Sequence, residues 1–214
     1  MTAHKVLACA KRELGNTELP PGSNRTKYGE SYGLDGYPWC VMFLWWVFRA
    51  AGASPLFFGG AKTASCGVLL RWYRENGYTA DKPQPGDIVI LNFSGTKDTE
   101  HCGLVVRAMS DGSVETIEGN TTPGLEGSQS NGGSVARKVR LPGQIVGICR
   151  PRYMPDEQAP DYAGHWAEAA IRRCMEAGLM QGDPDGSFRP EDKLSRAEMA
   201  TVLARLLNRM EGTA

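Results

Sequence analysis

Hydrophobic and polar positions along this chain follow two different periods. Over roughly residues 2–14 the apolar positions group on one side of a helical repeat, and Gly15 supplies a stop. A polar, glycine-bearing stretch follows from Asn16 to Pro38 and reads as loop. Val41, Leu44, Val47, Phe48 and Ala51 then recur at helical spacing, which predicts a helix over Cys40–Ala51 closed by Gly52. Another is predicted over Ser65–Asn76, ending at Gly77. Beyond this the period falls to two. Asp87–Phe93, Cys102–Ala108, Ser113–Glu118, Ser134–Val139 and Ile145–Cys149 are short runs rich in Val and Ile, parted by Gly, Asp-Gly and Pro-Gly. They predict a meander of antiparallel strands. Helices first and strands second make an α+β fold.

The pattern changes again near residue 151. Pro151–Pro160 holds three prolines among acidic and amide residues, a linker composition. Trp166–Ala177 is amphipathic and closes at Gly178, Asp183–Ser187 reads as a turn, and a last helix runs to about Arg209. Ser195-Arg-Ala-Glu198 has the spacing of a capping box, in which the Ser hydroxyl and the Glu carboxylate each take one backbone N–H. The predicted layout is a front domain over residues 1–152, a linker over 153–160 and a small helical domain over 161–214.

Composition narrows the functional classes. Lys and Arg total 24 against 24 Asp and Glu, so net charge is zero. Binding a polyanion needs an excess of basic side chains, so nucleic acid is not an expected partner. The longest apolar run, Trp39–Phe48, is half of the about 20 residues that a membrane span needs, so no membrane insertion is expected. The apolar stretch Val6–Ala10 is too short for a signal-peptide core, so synthesis and folding in the cytosol are expected. Six cysteines occur, at 9, 40, 66, 102, 149 and 174, without CxxC spacing. Neither a disulfide framework nor a structural zinc site is indicated, and free thiols packed as small apolar residues are expected.

One of these cysteines stands apart. Cys40 opens the most apolar helix, where the positive end of the helix dipole favours a thiolate. A thiolate nucleophile needs a base, and the base an orienting partner. Of the three histidines, His4 lies in the first turn of the first helix and His165 lies beyond the linker before a helix, where a capping role fits. His101 opens a strand in the front domain. If the strands around Asp111-Gly112 form a hairpin, Glu118 and Asn120 come beside His101, and a carboxylate there would fix the imidazole tautomer.

These residues carry a resemblance. Tyr37-Pro-Trp-Cys-Val-Met-Phe-Leu-Trp-Trp46 resembles the cysteine motif of CHAP domains, the cysteine- and histidine-dependent amidohydrolases/peptidases. Pro85-Gly-Asp-Ile-Val-Ile90, Glu100-His-Cys-Gly-Leu-Val-Val106 and Thr116-Ile-Glu-Gly-Asn-Thr121 resemble its strand, histidine and acidic motifs, in order. The resemblance implies a papain-like α+β fold, helices packed on an antiparallel sheet, and cleavage of amide bonds in peptidoglycan. It implies Cys40 as nucleophile, His101 as base, Glu118 as orienting residue and Asn120 as an auxiliary polar group. Cys102 stands where the family usually has an aliphatic residue. Some CHAP domains hold calcium ahead of the nucleophile. Only Glu30 and Asp35 are available there, so no metal or other cofactor is expected. The turn at Asp183 is not an EF-hand, because Leu194 falls where the bidentate Glu belongs.

The tail resembles an S-layer homology domain through Gly164-His-Trp-Ala167, Gly182-Asp-Pro-Asp-Gly-Ser-Phe-Arg-Pro190 and Leu194-Ser-Arg-Ala-Glu198. Such domains bind secondary polymers of cell walls, usually from three copies. The resemblance implies Trp166 and Arg196 as ligand contacts and, with a single copy, self-association. The two resemblances together imply an endolysin of a phage or prophage, held in the cytosol until a holin opens the way to the wall. The competing expectations are a wall-binding protein with an inactive CHAP-like domain and a cytosolic thiol or metal protein.

Overall fold

The structure, a computed structural model, describes residues 1–96, 98–123, 132–154, 160–183 and 187–212. The chain divides into two compact units, Met1–Met154 and Pro155–Ala214.

The front unit is organised by its most apolar helix. In α3 (Cys40–Ala50) all residues but Trp46, Arg49 and Ala50 are buried. A helix apolar on nearly every side needs partners around it. It packs on α1 (Ala3–Arg12), on α2 (Lys27–Tyr32) and on the sheet strands β2 (His101–Ala108) and β3 (Val114–Thr121). α4 (Cys66–Glu75) starts at Ser65, whose hydroxyl accepts the Val68 N–H, and lies against β5 (Ile145–Cys149). The remaining strands are β1 (Ile88–Leu91) and β4 (Ser134–Arg140).

The five strands form one antiparallel sheet in the order β4-β3-β2-β1-β5. The first four make the expected meander. β5 departs from it: after the turn at Pro142–Gln144 it returns to the free edge of β1, pairing Ile88 with Cys149 and Val89 with Ile148. That return buries β1 on both faces. Ile88 and Ile90 join the core under the helices, while Val89 and Leu91 join a smaller cluster with Val105, Val114 and Ile148. Arg150, just past β5, locks the closure by donating to both oxygens of buried Asp87, at 3.0 and 2.7 Å.

α2 lies inside the stretch read from sequence as loop. Six residues are too few to show an apolar period. Its ends are defined instead by the Thr26 hydroxyl, which accepts the Gly29 N–H at 3.1 Å, and by left-handed Gly33. The fold class is α+β, with helices packed on an antiparallel sheet.

In the second unit, α5 (Glu168–Glu176) buries Ile171, and α6 (Arg196–Glu211) begins with the capping box. Glu198 N–H donates to Ser195 Oγ at 3.2 Å, and Ser195 N–H to the Glu198 carboxylate at 2.7 Å. Arg205 and Arg209 of α6 donate to the carbonyls of Leu179 and Ala177, which ties α6 to the end of α5. Asp183 N–H donates to the Ser187 carbonyl. Most of the linker, residues 155–159, and the turn centre, 184–186, lie outside the described residues. Among the described residues, no helix is long and apolar enough to cross a membrane.

Candidate active site

Cys40 is the first residue of α3, and no side chain caps that helix end. Its sulfur therefore sits where unpaired backbone N–H groups converge. The preceding residue is firmly held. Trp39 is fully buried, stacks on Tyr28 at 5.3 Å, and donates its indole N–H to Glu18 Oε1 at 3.0 Å. Tyr28 in turn donates to Glu13 at 2.6 Å. Gly119 brings this helix end against β3: a Cβ there would lie 2.6 Å from Phe43 Cβ and 2.7 Å from the Trp39 ring.

His101 opens β2 opposite Leu91 of β1. Its Nε2 donates to Glu118 Oε2 at 3.0 Å, and both residues are sealed from solvent. Glu118 accepts from three further donors: Thr116 Oγ1 at 2.6 Å, Arg140 Nε at 2.7 Å and Arg140 Nη2. Gly103 leaves the space that the carboxylate crosses, since a Cβ there would lie 2.8 Å from Glu118 Cγ.

Electrostatics follow from these contacts. Burial opposes ionisation of Glu118, but Arg140 and His101 outweigh it and bring the carboxyl down to about 2. Burial also opposes the imidazolium. Hydrogen bonds to Cys40 and Glu118, and the charges of both, raise His101 to about 9. For Cys40, hydrogen bonds from Cys102 and Cys66 act first and the His101 cation adds to them. Together they overcome burial and hold its thiol well below the ordinary value. Cys102 is held well above it by burial and by donation to Cys40. The geometry therefore supports a thiolate at Cys40 facing an imidazolium at His101, with a carboxylate behind.

Asn120 is buried in a bulge of β3, in the left-handed region at φ 56°. Its Oδ1 has no hydrogen-bond partner among the described residues, and no hydrogen bond joins it to Cys40, His101 or Glu118. Asp35 accepts the Thr26 N–H at 3.0 Å and so serves the loop before α2. In the second unit Trp166 is 90% exposed and Arg196 is exposed at the first position of α6. His165 bonds Glu191 at 2.6 Å and accepts the Ala167 N–H beside the start of α5.

Several residues of the site were not singled out by sequence. Arg140 reads as one of three basic residues in a strand, Arg137, Lys138 and Arg140, and only its meeting with Glu118 sets it apart. Thr116 and Glu118 alternate on one strand, a period-two signal that points to their shared face. Glu18, twenty-one residues from Trp39, gives no local signal. All six cysteines are free, but Cys66 and Cys102 do more than fill space: their sulfurs lie beside that of Cys40.

Comparison with known proteins adds the following. Residues 32–120 match the family model of the CHAP domain, and residues 160–200 that of the S-layer homology domain. The chain is 35% identical over 65 residues to S-layer protein EA1 of Bacillus anthracis, covering 30% of this chain and 8% of that protein. It is 50% identical over 48 residues to outer membrane protein SlpA of Deinococcus radiodurans, covering 22% and 4%. The chain thus spans less than a tenth of these relatives. The structure of a wild type endolysin, LysIME-EF1, aligns with a TM-score of 0.45 at 16% identity, covering 73% of this chain and 67% of that one. The chain therefore carries a CHAP domain, matched over residues 32–120, and an S-layer homology domain, matched over residues 160–200.

Proposed function

We propose that this protein is a peptidoglycan hydrolase that cleaves an amide bond of the bacterial cell wall through Cys40, His101 and Glu118. The observation that carries the reading is the Cys40 thiol at the bare start of α3, facing an imidazole whose far nitrogen is fixed by a buried carboxylate. The thiolate attacks the carbonyl carbon of the scissile amide. Backbone N–H groups of the first turn of α3 receive the oxyanion. The His101 imidazolium gives its proton to the departing amine, leaving a thioester on Cys40. Water then attacks the thioester as His101 takes a proton back, and the acid and free thiolate are released. Glu118 keeps one imidazole tautomer and stabilises its charged form. Asn120 supplies an auxiliary amide: a buried oxygen with no hydrogen-bond partner among the described residues suits a group that bonds substrate.

The S-layer homology unit supplies wall attachment. An exposed indole at Trp166 stacks on sugar rings, and the Arg196 fork pairs with an anionic group of a secondary wall polymer. A single unit with exposed Leu203, Leu207 and Met210 on α6 supports self-association through that unit. The combination of wall hydrolase and wall anchor matches a phage or prophage endolysin released by a holin.

The test is loss of turbidity of purified cell walls. The wild-type chain clears the suspension, and Cys40→Ala and His101→Ala do not. Clearing by both variants at the wild-type rate would overturn the assignment. Mass spectrometry of the soluble products identifies the bond: free stem peptides beginning with alanine mark an amidase, and cut stems or cross-bridges mark an endopeptidase.

A further inference from the structure

Three sulfurs converge at the start of α3. Cys40 comes from that helix, Cys66 from the first residue of α4 and Cys102 from the second residue of β2. Their Sγ atoms all lie within 4.8 Å of one another, and Cys40 and Cys66 are 4.0 Å apart. All three residues are buried, with exposures of 7%, 6% and 0%. Cys9, Cys149 and Cys174 are not part of the cluster. The mechanism above needs one thiolate, so two further thiols at van der Waals range call for an account.

We propose that Cys40, Cys66 and Cys102 form a binding site for one thiophilic d10 ion of the zinc class, and that its occupancy withdraws the Cys40 nucleophile. The second clause rests on the proposed hydrolase function; the first does not. Zinc–thiolate bonds are about 2.3 Å, so sulfurs around a tetrahedral ion stand about 3.8 Å apart. The present spacing approaches that value without backbone movement. Soft sulfur ligands select soft ions over calcium or magnesium.

The fourth position of a tetrahedral ion falls to a group outside the three-sulfur cluster. His101 bonds Glu118 through Nε2, which leaves Nδ1 as its second ligand atom, and the ring interacts with the Cys40 sulfur. Carboxylate–histidine pairs of this kind orient imidazoles for metals, and Arg140 and Thr116 fix the carboxylate in turn. The same three residues thus steady the imidazole for proton transfer when the site is free and for ligation when it is filled. Because the three cysteines are 26 and 36 residues apart in sequence, no spacing motif betrays the site.

The test is a titration of the reduced full-length chain with Co²⁺, followed by displacement with Zn²⁺. One equivalent of Co²⁺ is expected to give sulfur-to-cobalt charge-transfer absorption and the intense visible bands of a tetrahedral ion, both removed by one equivalent of Zn²⁺. Cys66→Ala and Cys102→Ala are each expected to weaken binding at least about tenfold, while Cys9→Ala, a buried thiol outside the cluster, keeps the wild-type spectrum. Absence of charge transfer in the wild-type chain, or an unchanged titration in both cluster variants, overturns the site. A wall-clearing assay separates the two claims: Zn²⁺ inhibition, scored against each protein's metal-free rate, is expected to be weaker in Cys66→Ala than in the wild type. Hydrolysis without a cobalt signal refutes the metal site alone, and a cobalt signal without hydrolysis refutes the hydrolase alone.

Discussion

Glu118 remains ionised without any exposed surface because four donors from three strands meet its two oxygens. A buried charge is tolerable only while its partners stay, since removing one leaves the other unpaired. Arg140→Leu is therefore expected to destabilise the chain by about 3–5 kcal/mol, and Thr116→Val by about 1 kcal/mol. Urea unfolding at neutral pH checks both, and a fully stable Arg140→Leu would refute the account of Glu118. The same bonds set the pH dependence. A carboxyl lowered from 4.5 to about 2 contributes stability that is fully present above pH 4.5 and is lost as pH falls toward 2. In the proposed mechanism His101, raised from 6.5 to about 9, gives its proton to the leaving amine, so kcat/KM is expected to fall as pH rises through about 9. An alkaline limb near 6.5 instead would mean that Cys40 and Glu118 do not support the cation. At this scale the sequence was partly legible. Cys40 and His101 were visible because each opens an element, and element starts can be read from periodicity. Arg140 and Glu18 were not, because their partners are tertiary: a strand arginine looks solvated until the strand beside it is known.

At the scale of elements, the position of α3 on β3 decides whether the two halves of the site meet. Gly119 makes that approach possible. Gly119→Ala is expected to push the helix start away, at about 1–3 kcal/mol for overpacking. A displacement of about 1 Å at the nucleophile is expected to lower kcat by about a hundredfold. Wall-clearing rates and thermal unfolding of this variant test it, and wild-type rates would show that the contact does not govern the site. Periodicity gave α1, α3, α4 and all five strands to within a few residues because each carries its own apolar pattern. It did not give the return of β5 to β1, since a strand's alternation says which face is buried and not which neighbour it pairs with. Nor did it give α2, whose ends are fixed by Thr26 and Gly33 and whose length is below one full apolar repeat.

On the scale of the whole molecule, the proposed function divides between two compact units, with Cys40, His101 and Glu118 in Met1–Met154 and the S-layer homology match in Pro155–Ala214. With zero net charge, the proposed attachment rests on specific contacts over bulk attraction. Trp166→Ala and Arg196→Ala are thus expected to reduce retention on sedimented walls, with a larger fall in hydrolysis of intact walls than of soluble wall fragments. Equal falls on both substrates would argue against an anchoring role. The central claim is that one thiolate does the chemistry, and stoichiometric alkylation tests it most directly. With iodoacetamide at neutral pH, Cys40 is expected to be carboxamidomethylated ahead of the other five cysteines, with wall hydrolysis lost in proportion to its labelling. Hydrolysis that persists at the full rate after Cys40 is completely alkylated would contradict the account.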